Sequence, residues 1–393
     1  MKLLHTADLH LGRFLDGRPR WDEQEAILDE IVTIARREQV DLVLAAGDVF
    51  DSFIPPARAE ELFYSFAARL LDSGCTVIAI AGNHDQPQRM AAAAPLGEAH
   101  GLYLLGLPGE EAVTVTCRDG RQAVVAALPY VSEARAQELF SADLADEEEI
   151  SLAYRDCLSC KLRSLSVGFR EDTANIVLAH LFVNGGFSSD SERPLAAQVG
   201  GSFGVDAGVF PPDSDYIALG HLHRPQSMAA DVPCRYAGSP LAYSFSEADQ
   251  QKSVTLVEIN WEDGEKQVYL QALPLTAGRP LSRWRCASYA DALQRAGDPA
   301  QQEMWVQLTV ELEQPLTGEE LDALYAAHPH LIAVNPIYPD IRREQREAEE
   351  SASLSVLERF AAFARDSEGV EPDEALLAAF VSLLEKKEGD DEL

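Results

Sequence analysis

The N-terminal part of the chain alternates short apolar runs with amphipathic helical patterns, and this alternation limits the fold more than any other feature. Apolar runs that predict buried strands occur in KLLHTAD, DLVLAAGD and TVIAIAGNHD, and helical spacing separates them in WDEQEAILDEIVTIARREQ and ARAEELFYSFAARLLDSG. Strands that alternate with helices indicate βαβ units and a largely parallel sheet, so the predicted class is α/β. The later runs QAVVAALP, NIVLAHLF, DYIALGHLH and SVTLVEIN have shorter helical intervals and predict a mixed sheet or a second packed sheet.

The predicted strands end repeatedly in residues that can bind a metal ion. These residues are Asp8, His10, Asp48, Asp51, Asn83, His84, Asp85, His180, His221 and His223. Open α/β sheets place their ligand sites at the carboxyl ends of strands, so we expect these side chains to gather at one edge. Taken singly, Asp8 and Asn83 are typical turn residues and His180 is typical of a hydrogen-bonded core histidine. His5, His100, His328 and His330 lack such neighbours and receive no function.

The chemistry of this residue set favours transition metals. Carboxylate and amide oxygens mixed with imidazole nitrogens suit Mn, Fe or Zn better than Ca or Mg. A carboxylate such as Asp48 can bridge two cations, and Asp8 and His10 can reach one ion if the strand has just ended. Two cations about 3.5–4 Å apart clamp the attacking and leaving oxygens of a phosphoryl displacement.

The charge balance argues against a non-specific polyanion binder. The net charge is −33, from 65 acidic and 32 basic residues, whereas such binders carry basic patches. A nuclease whose DNA contacts are local, metal-assisted or supplied by a partner stays compatible with this charge. The N-terminus MKLLHTADLHLGRF has no uninterrupted apolar segment, and no apolar run is long enough to span a bilayer. We therefore expect no signal peptide, no membrane span and a cytoplasmic protein.

Cysteine usage fits a reducing compartment. Cys157 and Cys160 form a CxxC, but no second CxxC or nearby histidine pair accompanies it. Their surroundings, AYRDCLSCKLRSL, have helical spacing and alternating charge. The pattern favours two reduced thiols on a helix over a redox or zinc role, although the latter stays open.

Composition changes divide the chain into three predicted parts. Pro, Gly and Arg cluster at 271–284 and end a first domain over 1–272. Two short helices and two strands then predict a small α+β domain over 278–340. The segment 345–393 ends the chain with two short amphipathic helices, which need an apolar surface to cover them. That surface belongs either to the same protein or to an external partner.

The polar strand ends, read in order, resemble a known superfamily. DLH, GDVFD, GNHD, AH and GHLH follow one another as in the calcineurin-like metallophosphoesterases. The resemblance implies a double β-sandwich flanked by helices and two divalent metal ions. One ion would be held by Asp8, His10, Asp48 and His223, and the other by Asp48, Asn83, His180 and His221. His84 would face the scissile phosphate and stabilise the transition state, and Asp51 and Asp85 would orient ligands from behind.

Finer features resemble one branch of that superfamily, the SbcD nuclease subunits. They are MKLLHTADLHLGRFL, GDVFDSFIPP, GNHDQPQRM and GSPLAYSFSE. Met90 departs from the leucine usual in the branch, and the region 107–175 and the acidic tail match nothing diagnostic. The resemblance implies a metal-dependent 3′–5′ double-strand DNA exonuclease and single-strand or hairpin endonuclease. It would act in DNA repair, replication and recombination, with Mn²⁺ as the activating ion.

The same resemblance implies partners. The 278–340 domain would cap the site and contact DNA, and 345–393 would dock on the coiled coil of the SbcC ATPase. The assembly would hold two SbcC and two SbcD chains and associate with the nucleoid. A homodimer contact is predicted on the helix after GDVFDSFIPP, with core packing as an equal explanation of its apolar face. That face consists of Leu62, Phe63, Phe66 and Leu70.

Two alternatives to a DNA nuclease stay open at this point. A small-molecule phosphomonoesterase or cyclic phosphodiesterase would use the same metal ligands, but the capping domain and terminal helices argue against it. A non-enzymatic scaffold with an inactive site tends to lose ligands, whereas every ligand is present in this chain. Activity on an aryl phosphate that far exceeds activity on DNA would favour the first alternative.

Overall fold

The computed structural model describes residues 1–132, 147–192, 204–262 and 264–338, together with helical positions at 358, 360, 361, 364, 376, 377 and 379. The chain forms two compact units. The first contains Met1–Arg283 and Glu303–Trp305, and the second contains Trp284–Gln302 and Val306–Leu393. The predicted C-terminal helices over 345–393 lie outside the described residues apart from those isolated positions. Within the described ranges, every helix is too short or too polar to span a bilayer.

The regular elements are short and numerous. The strands are β1 Lys2–Thr6, β2 Phe14–Leu15, β3 Arg18–Pro19, β4 Leu42–Ala45, β5 Thr76–Ile80, β6 Leu102–Leu105, β7 Val113–Thr116, β8 Gln122–Leu128, β9 Ala174–His180, β10 Tyr216–Gly220, β11 Gln226–Ser227, β12 Cys234–Tyr236, β13 Ser253–Glu262, β14 Glu265–Pro274, β15 Leu281–Cys286, β16 Trp305–Glu311 and β17 Leu331–Ile337. The α-helices are α1 Trp21–Glu38, α2 Ala57–Asp72, α3 Pro87–Met90, α4 Ala94–Gly97, α5 Glu147–Leu165, α6 Tyr289–Ala296 and α7 Gly318–Ala327.

The first large sheet has the order β14-β13-β1-β4-β5-β6. Strands β1, β4, β5 and β6 are parallel to one another, and β13 and β14 join as antiparallel strands beyond β1. Helix α1 connects β1 to β4 and α2 connects β4 to β5, so both connections are βαβ units. The loops after β1, β4 and β5 therefore emerge at the same edge of this sheet.

The second large sheet has the order β11-β12-β10-β9-β8-β7. Its central strands β8, β9, β10 and β12 are parallel, and β7 and β11 are antiparallel strands at its two edges. The sequence predicted either a mixed sheet or a second packed sheet, and the structure contains both. The region 107–175, whose sequence showed no diagnostic match to the branch, contains β7, β8 and α5.

The two sheets pack face to face with helices outside them. A core cluster joins Leu44 and Ile78 of the first sheet to Ile176 and Leu178 of the second. A second cluster packs the first sheet on α1 and α2, and a third packs the second sheet on α5. These layers confirm the predicted double β-sandwich flanked by helices.

The apolar face of α2 belongs to the core. Phe63, Phe66 and Leu70 are fully buried against the first sheet, and Leu62 is partly buried against the same cluster. Core packing therefore accounts for this periodicity, and the face predicted as a dimer contact is not available for one. The spacing of these residues could not distinguish a dimer contact from core packing, because both need the same apolar stripe along the helix.

The second unit is small and contains most of a third sheet. Strands β15, β16 and β17 form this three-stranded sheet in that order, with β16 and β17 parallel. Helix α6 begins at a Ser288 cap, and helix α7 begins at Thr317 with a capping box to Glu320.

The cysteines behave as the sequence predicted. All six are free, and Cys157 and Cys160 lie on α5. Burial raises the pKa of the Cys157 thiol, so this thiol is less acidic than usual. The two residues therefore lie on a helix as free cysteines, as their spacing predicted.

Candidate metal centre

The carboxyl ends of five parallel strands place the predicted ligands together. Asp8 and His10 follow β1, Asp48 follows β4, and Asn83 follows β5. His180 is the last residue of β9, and His221 and His223 follow β10. The two sheets thus bring their loop edges to one site, and the structure gathers every sequence-predicted ligand there.

The first group of donors contains Asp8, His10 and His223. One potential ligand atom from each lies within 4.8 Å of the others, and all three side chains are buried. His10 Nε2 and His223 Nε2 are 3.0 Å apart. Asp8 also accepts the backbone N–H of His221 through both carboxylate oxygens, at 2.9 and 3.2 Å. The loop after β10 is therefore tied to the loop after β1 through Asp8.

Asp48 lies between two groups of donors. Its Oδ2 is 3.6 Å from His10 Nε2 and 3.6 Å from His180 Nε2. A carboxylate oxygen equidistant from imidazoles of two loops is the arrangement needed to bridge two cations. The other oxygen, Oδ1, accepts the backbone N–H of His84 at 2.8 Å.

Asn83 joins the second group of donors. Its Oδ1 is 3.0 Å from His180 Nε2 and 3.1 Å from His221 Nδ1. His180 also lies 3.9 Å from Asp8, measured from Nδ1 to Oδ1. A neutral amide oxygen between two imidazoles matches the mixed oxygen and nitrogen donor set expected from the sequence.

Hydrogen bonds at the far side of the His180 and His223 rings orient these two imidazoles. His180 donates Nδ1–H to the carbonyl of Ala46 at 2.8 Å, so its Nε2 carries a lone pair towards the site. His223 Nδ1 lies 2.6 Å from Ser191 Oγ, and His10 Nδ1 lies 3.3 Å from Asp51 Oδ1. The Nε2 atoms of His10 and His223 face each other across 3.0 Å.

Burial keeps these imidazoles neutral. It lowers the pKa of His221 to about 3, and it also lowers the pKa values of His10, His180 and His223. The close grouping of these nitrogen donors with the carboxylates of Asp8 and Asp48 fits a divalent cation.

The two buried carboxylates have opposite shifts. Burial raises the pKa of Asp8 well above its ordinary value, and the nearby Asp48 charge adds to this. Burial also raises the pKa of Asp48, but the imidazoles of His180 and His84 more than offset that effect and lower it. Asp48 is thus the more acidic of the two carboxylates.

Several ligands have strained backbones. Asp8, His10, Asp48 and His221 have positive φ values of 52°, 43°, 49° and 109°. Left-handed conformations are uncommon in residues other than glycine and cluster at functional sites. Within the described ranges, Asp16 and Gln39 are the other non-glycine residues with positive φ. The strain is thus concentrated in the loops that present the ligands.

Glycines let these loops approach one another. Gly47 has a φ of 86°, and a Cβ there would lie 2.2 Å from His180 Nδ1. A Cβ on Gly82 would lie 2.1 Å from Asp48 Oδ1. Any larger residue would therefore displace a donor of the site.

His84 lies beside the donors with one nitrogen committed elsewhere. Its Nδ1 donates to the carbonyl of Asp51 at 2.9 Å, which leaves Nε2 as the atom available to the site. One of its ring nitrogens also falls within 4.8 Å of ligand atoms of His10 and Asp48. The side chain is buried, and its ring packs edge-on against that of His10 at 4.7 Å.

Asp51 and Asp85 lie behind the ligands. Asp51 faces His10 and also accepts from Arg13 Nη1 at 3.4 Å. Asp85 accepts the backbone N–H groups of Val49, Phe50 and Gly82 at 3.0, 2.8 and 2.9 Å. It thereby joins the loop after β4 to the loop after β5, which carry Asp48 and Asn83.

Sequence reasoning missed a polar network behind His223. It contains Ser191, Glu192, Glu247 and Lys252, all buried. Glu247 and Lys252 lie in or just after GSPLAYSFSE, which contributed to the family resemblance without any assigned role. No sequence spacing connects Ser191, which follows β9, with Glu247, which precedes β13. The only signal for this network in the sequence was a charged residue in an apolar setting.

The sandwich and this cluster of donors define a metal-dependent phosphoesterase with a two-metal centre. The family model described as calcineurin-like phosphoesterase matches residues 1–225. The chain is 40% identical to the SbcD chain of the SbcCD nuclease from Bacillus subtilis (strain 168) over 400 residues, which covers 100% of both chains. It is 31% identical to the protein of the same description from Rhodobacter capsulatus, over 85% of this chain and 86% of that one. The chain therefore belongs to the calcineurin-like phosphoesterase family and, within it, to the group of SbcD nuclease subunits.

A solved structure of a dimetal phosphatase from Danio rerio resembles the chain more distantly. The similarity covers 71% of this chain and 99% of that one, at 12% identity and a TM-score of 0.39. A similarity of this strength identifies no shared activity.

Proposed function

We propose that this chain is the nuclease subunit of an SbcCD complex and hydrolyses DNA phosphodiesters at the buried donor cluster. The observation that supports this most is the convergence of Asp48 with the donors of two sheets, since Asp48 Oδ2 lies 3.6 Å from both His10 and His180. The extensive similarity to two nuclease subunits supports the choice of DNA over other phosphoesters.

Two divalent cations would bind in this cluster. Asp8, His10, Asp48 and His223 would hold one, and Asp48, Asn83, His180 and His221 the other. When bound, such ions activate water and offset the charge of a phosphodiester. The mixed oxygen and nitrogen donors suit Mn²⁺, which is our proposal for the activating ion.

His84 would act on the phosphodiester rather than as a ligand. Since Nδ1 donates to the Asp51 carbonyl, a protonated His84 presents Nε2–H to an oxygen of the substrate. That hydrogen bond would strengthen as negative charge develops in the transition state. A proton from the same nitrogen would reach the leaving 3′ oxygen, and the product would carry a 5′ phosphate.

The finer activities follow from the family resemblance and are part of the proposal. They are 3′–5′ exonuclease activity on double strands and endonuclease activity on single strands and hairpins, in DNA repair, replication and recombination. The assembly would hold two SbcC ATPases and two copies of this chain in the cytoplasm, near the nucleoid. The segment 278–340 would contact DNA, and 345–393 would dock on the SbcC coiled coil.

The homodimer within that assembly would need a contact other than the apolar face of α2. Phe63, Phe66 and Leu70 of that helix are buried in the core of their own chain. Size-exclusion chromatography with light scattering on the chain alone tests the dimer directly. A monomer at micromolar concentration would limit dimerisation to the complex with SbcC.

The deciding experiment is a cleavage assay on a blunt linear duplex and on a DNA hairpin with Mn²⁺. The chain is assayed alone and then with SbcC and ATP, next to the variants His84→Ala and His100→Ala. We expect cleavage that is lost in His84→Ala, kept in His100→Ala, and stimulated by SbcC with ATP. His100 is an exposed histidine outside the site and serves as the matched control. Turnover of an aryl phosphate without cleavage of either DNA would instead make the chain a small-molecule phosphoesterase.

A further inference from the structure

The ligand residue His223 is held on every side except the one that faces the metal centre. Its backbone N–H donates to Glu192 Oε1 at 2.6 Å, and its carbonyl accepts from Lys252 Nζ at 2.8 Å. Its ring Nδ1 lies 2.6 Å from Ser191 Oγ. The remaining polar atom, Nε2, points to His10.

The direction of the hydrogen bonds behind His223 follows from the charges. Glu247 Oε2 accepts from the Lys252 ammonium at 2.5 Å, so Glu247 is a carboxylate that only accepts. Ser191 Oγ lies 2.5 Å from Glu247 Oε1 and therefore donates its hydroxyl proton to it. The lone pairs of Ser191 Oγ are then left to accept the Nδ1–H of His223.

Burial makes this chain of contacts rigid. Ser191, Glu247 and Lys252 are 5%, 0% and 6% exposed. In such surroundings an ion pair keeps its geometry, because breaking it would leave an uncompensated charge. His223 and Glu247 themselves are 3.9 Å apart, which is too far for a direct hydrogen bond. The serine hydroxyl therefore closes the gap between the carboxylate and the ligand.

We propose that Ser191, Glu247 and Lys252 form a positioning relay that fixes the tautomer and orientation of His223 for metal binding. The relay rests on the proposed two-metal function, but it assigns a role to three residues that do not themselves face the metal ions. Partners behind a metal-ligating histidine typically contribute about 10–100-fold in metal affinity. We expect the relay to act on the site held by Asp8, His10 and His223 and to leave the other site unchanged.

The variant Ser191→Ala tests the relay without disturbing the surrounding fold. Glu247 keeps three other hydrogen bonds, from the backbone of Tyr243 and Ser244 and from the side chain of Lys252. The carboxylate thus stays satisfied when the serine hydroxyl is removed. A change at Glu247 would also break the capping box that it forms with Ser244, so it is the less informative variant.

Ser246→Ala is the matched control. Ser246 Oγ accepts the backbone N–H of Asp190 at 3.0 Å and so joins the same two loops as Ser191. Of these two serines, Ser191 is the one whose hydroxyl lies within hydrogen-bond distance of His223. Ser191→Thr keeps the hydroxyl and serves as the conservative variant.

The test is titration of the full chain with Mn²⁺ by isothermal calorimetry, with electron paramagnetic resonance of the loaded protein. We expect Ser191→Ala to weaken one of two Mn²⁺ sites by about 10–100-fold and to show the spectrum of isolated rather than coupled Mn²⁺. Ser246→Ala and Ser191→Thr should bind as the wild type does. Wild-type affinity in Ser191→Ala, or an equal loss in Ser246→Ala, would overturn the relay alone. A wild-type chain that binds no Mn²⁺ would overturn the metal centre, and the relay with it.

Discussion

The backbone N–H of His84 donates to Asp48 Oδ1 at 2.8 Å, while Asp48 Oδ2 faces His10 and His180. One loop therefore carries both a side chain proposed to act on the substrate and a backbone group that aims the bridging carboxylate. These two contributions of His84 are separable, because a substitution of its side chain leaves the N–H in place.

The first prediction concerns His84→Ala. We expect a loss of phosphodiester hydrolysis of at least about 100-fold, as is typical when a group that transfers a proton is removed. The metal content should stay at two ions per chain because the backbone hydrogen bond to Asp48 persists. Cleavage assays and elemental analysis of the same preparation measure both. Loss of metal would instead make His84 a ligand, as its place within 4.8 Å of His10 and Asp48 donors would permit.

The second prediction concerns Gly47→Ala. A Cβ at Gly47 would lie 2.2 Å from His180 Nδ1 and would displace the imidazole from the Ala46 carbonyl. We expect this variant to lose metal at the site that includes His180 and to be less stable to urea. Gly120→Ala is the control, since Gly120 has a similar φ of 81° and, among the described residues, nothing lies within 4 Å of the added Cβ.

The control separates backbone strain from the clash. A left-handed alanine costs about 1–2 kcal/mol at either position. Gly120→Ala should therefore lose only that amount and keep both metal ions. Equal loss of stability and full metal content in the two variants would show that the close approach of Gly47 to His180 does not matter.

The repeated polar strand ends explain why so much of the site could be predicted from sequence. Parallel strands point their carboxyl ends one way, so Asp8, Asp48 and Asn83 had to emerge at one edge of the first sheet. The placement of His180 and His221 opposite them required the packing of two sheets, which the family resemblance implied and local periodicity did not.

Other features depend on tertiary packing and had no local pattern. The apolar stripe of α2 looks the same whether it covers a core or a second copy of the chain, and burial of Phe63 and Phe66 decides for the core. The hydrogen bond from Ser191 to Glu247 joins residues 56 positions apart, with no recognisable spacing. The sequence suggested no role for His5. In the structure this side chain links the two sheets through hydrogen bonds to Tyr216 and Leu219.

The third prediction concerns Asp85→Ala. The change leaves the buried N–H groups of Val49, Phe50 and Gly82 without their common acceptor. An unsatisfied buried donor costs about 1–3 kcal/mol, so we expect a loss of at least about 2 kcal/mol in the free energy of unfolding. The two loops it joins carry Asp48 and Asn83, so metal affinity should fall as well. Urea unfolding and calorimetric titration with Mn²⁺ measure the two effects.

Asp172→Ala provides the control for Asp85. Asp172 is an exposed carboxylate paired with Arg170, and its removal should change stability by no more than about 0.5 kcal/mol. If Asp85→Ala unfolds at the same urea concentration as Asp172→Ala, the three hydrogen bonds contribute nothing measurable and the proposed bracing of the loops is wrong.

The fourth prediction concerns the pH dependence of stability through His5. This histidine of β1 is fully buried and contacts β10, with Nδ1 2.9 Å from the Tyr216 hydroxyl and Nε2 3.1 Å from the Leu219 carbonyl. Burial lowers the pKa of His5 to about 3, from an ordinary value of 6.5. The unfolded chain therefore takes up a proton at a higher pH than the folded chain does.

The direction of the pH effect on stability follows from the lower pKa of His5 in the folded chain. The stability contributed by neutral His5 is complete above pH 6.5 and is lost progressively as the pH falls towards 3, by about 1.4 kcal/mol per pH unit. His5→Gln does not titrate, so the wild type should lose about 2 kcal/mol more than this variant between pH 6.5 and 5. Urea unfolding of both metal-free proteins at a series of pH values measures the difference. Parallel stability curves for the two proteins would mean that His5 titrates alike in the folded and unfolded states, and would contradict its burial as a neutral link between the sheets.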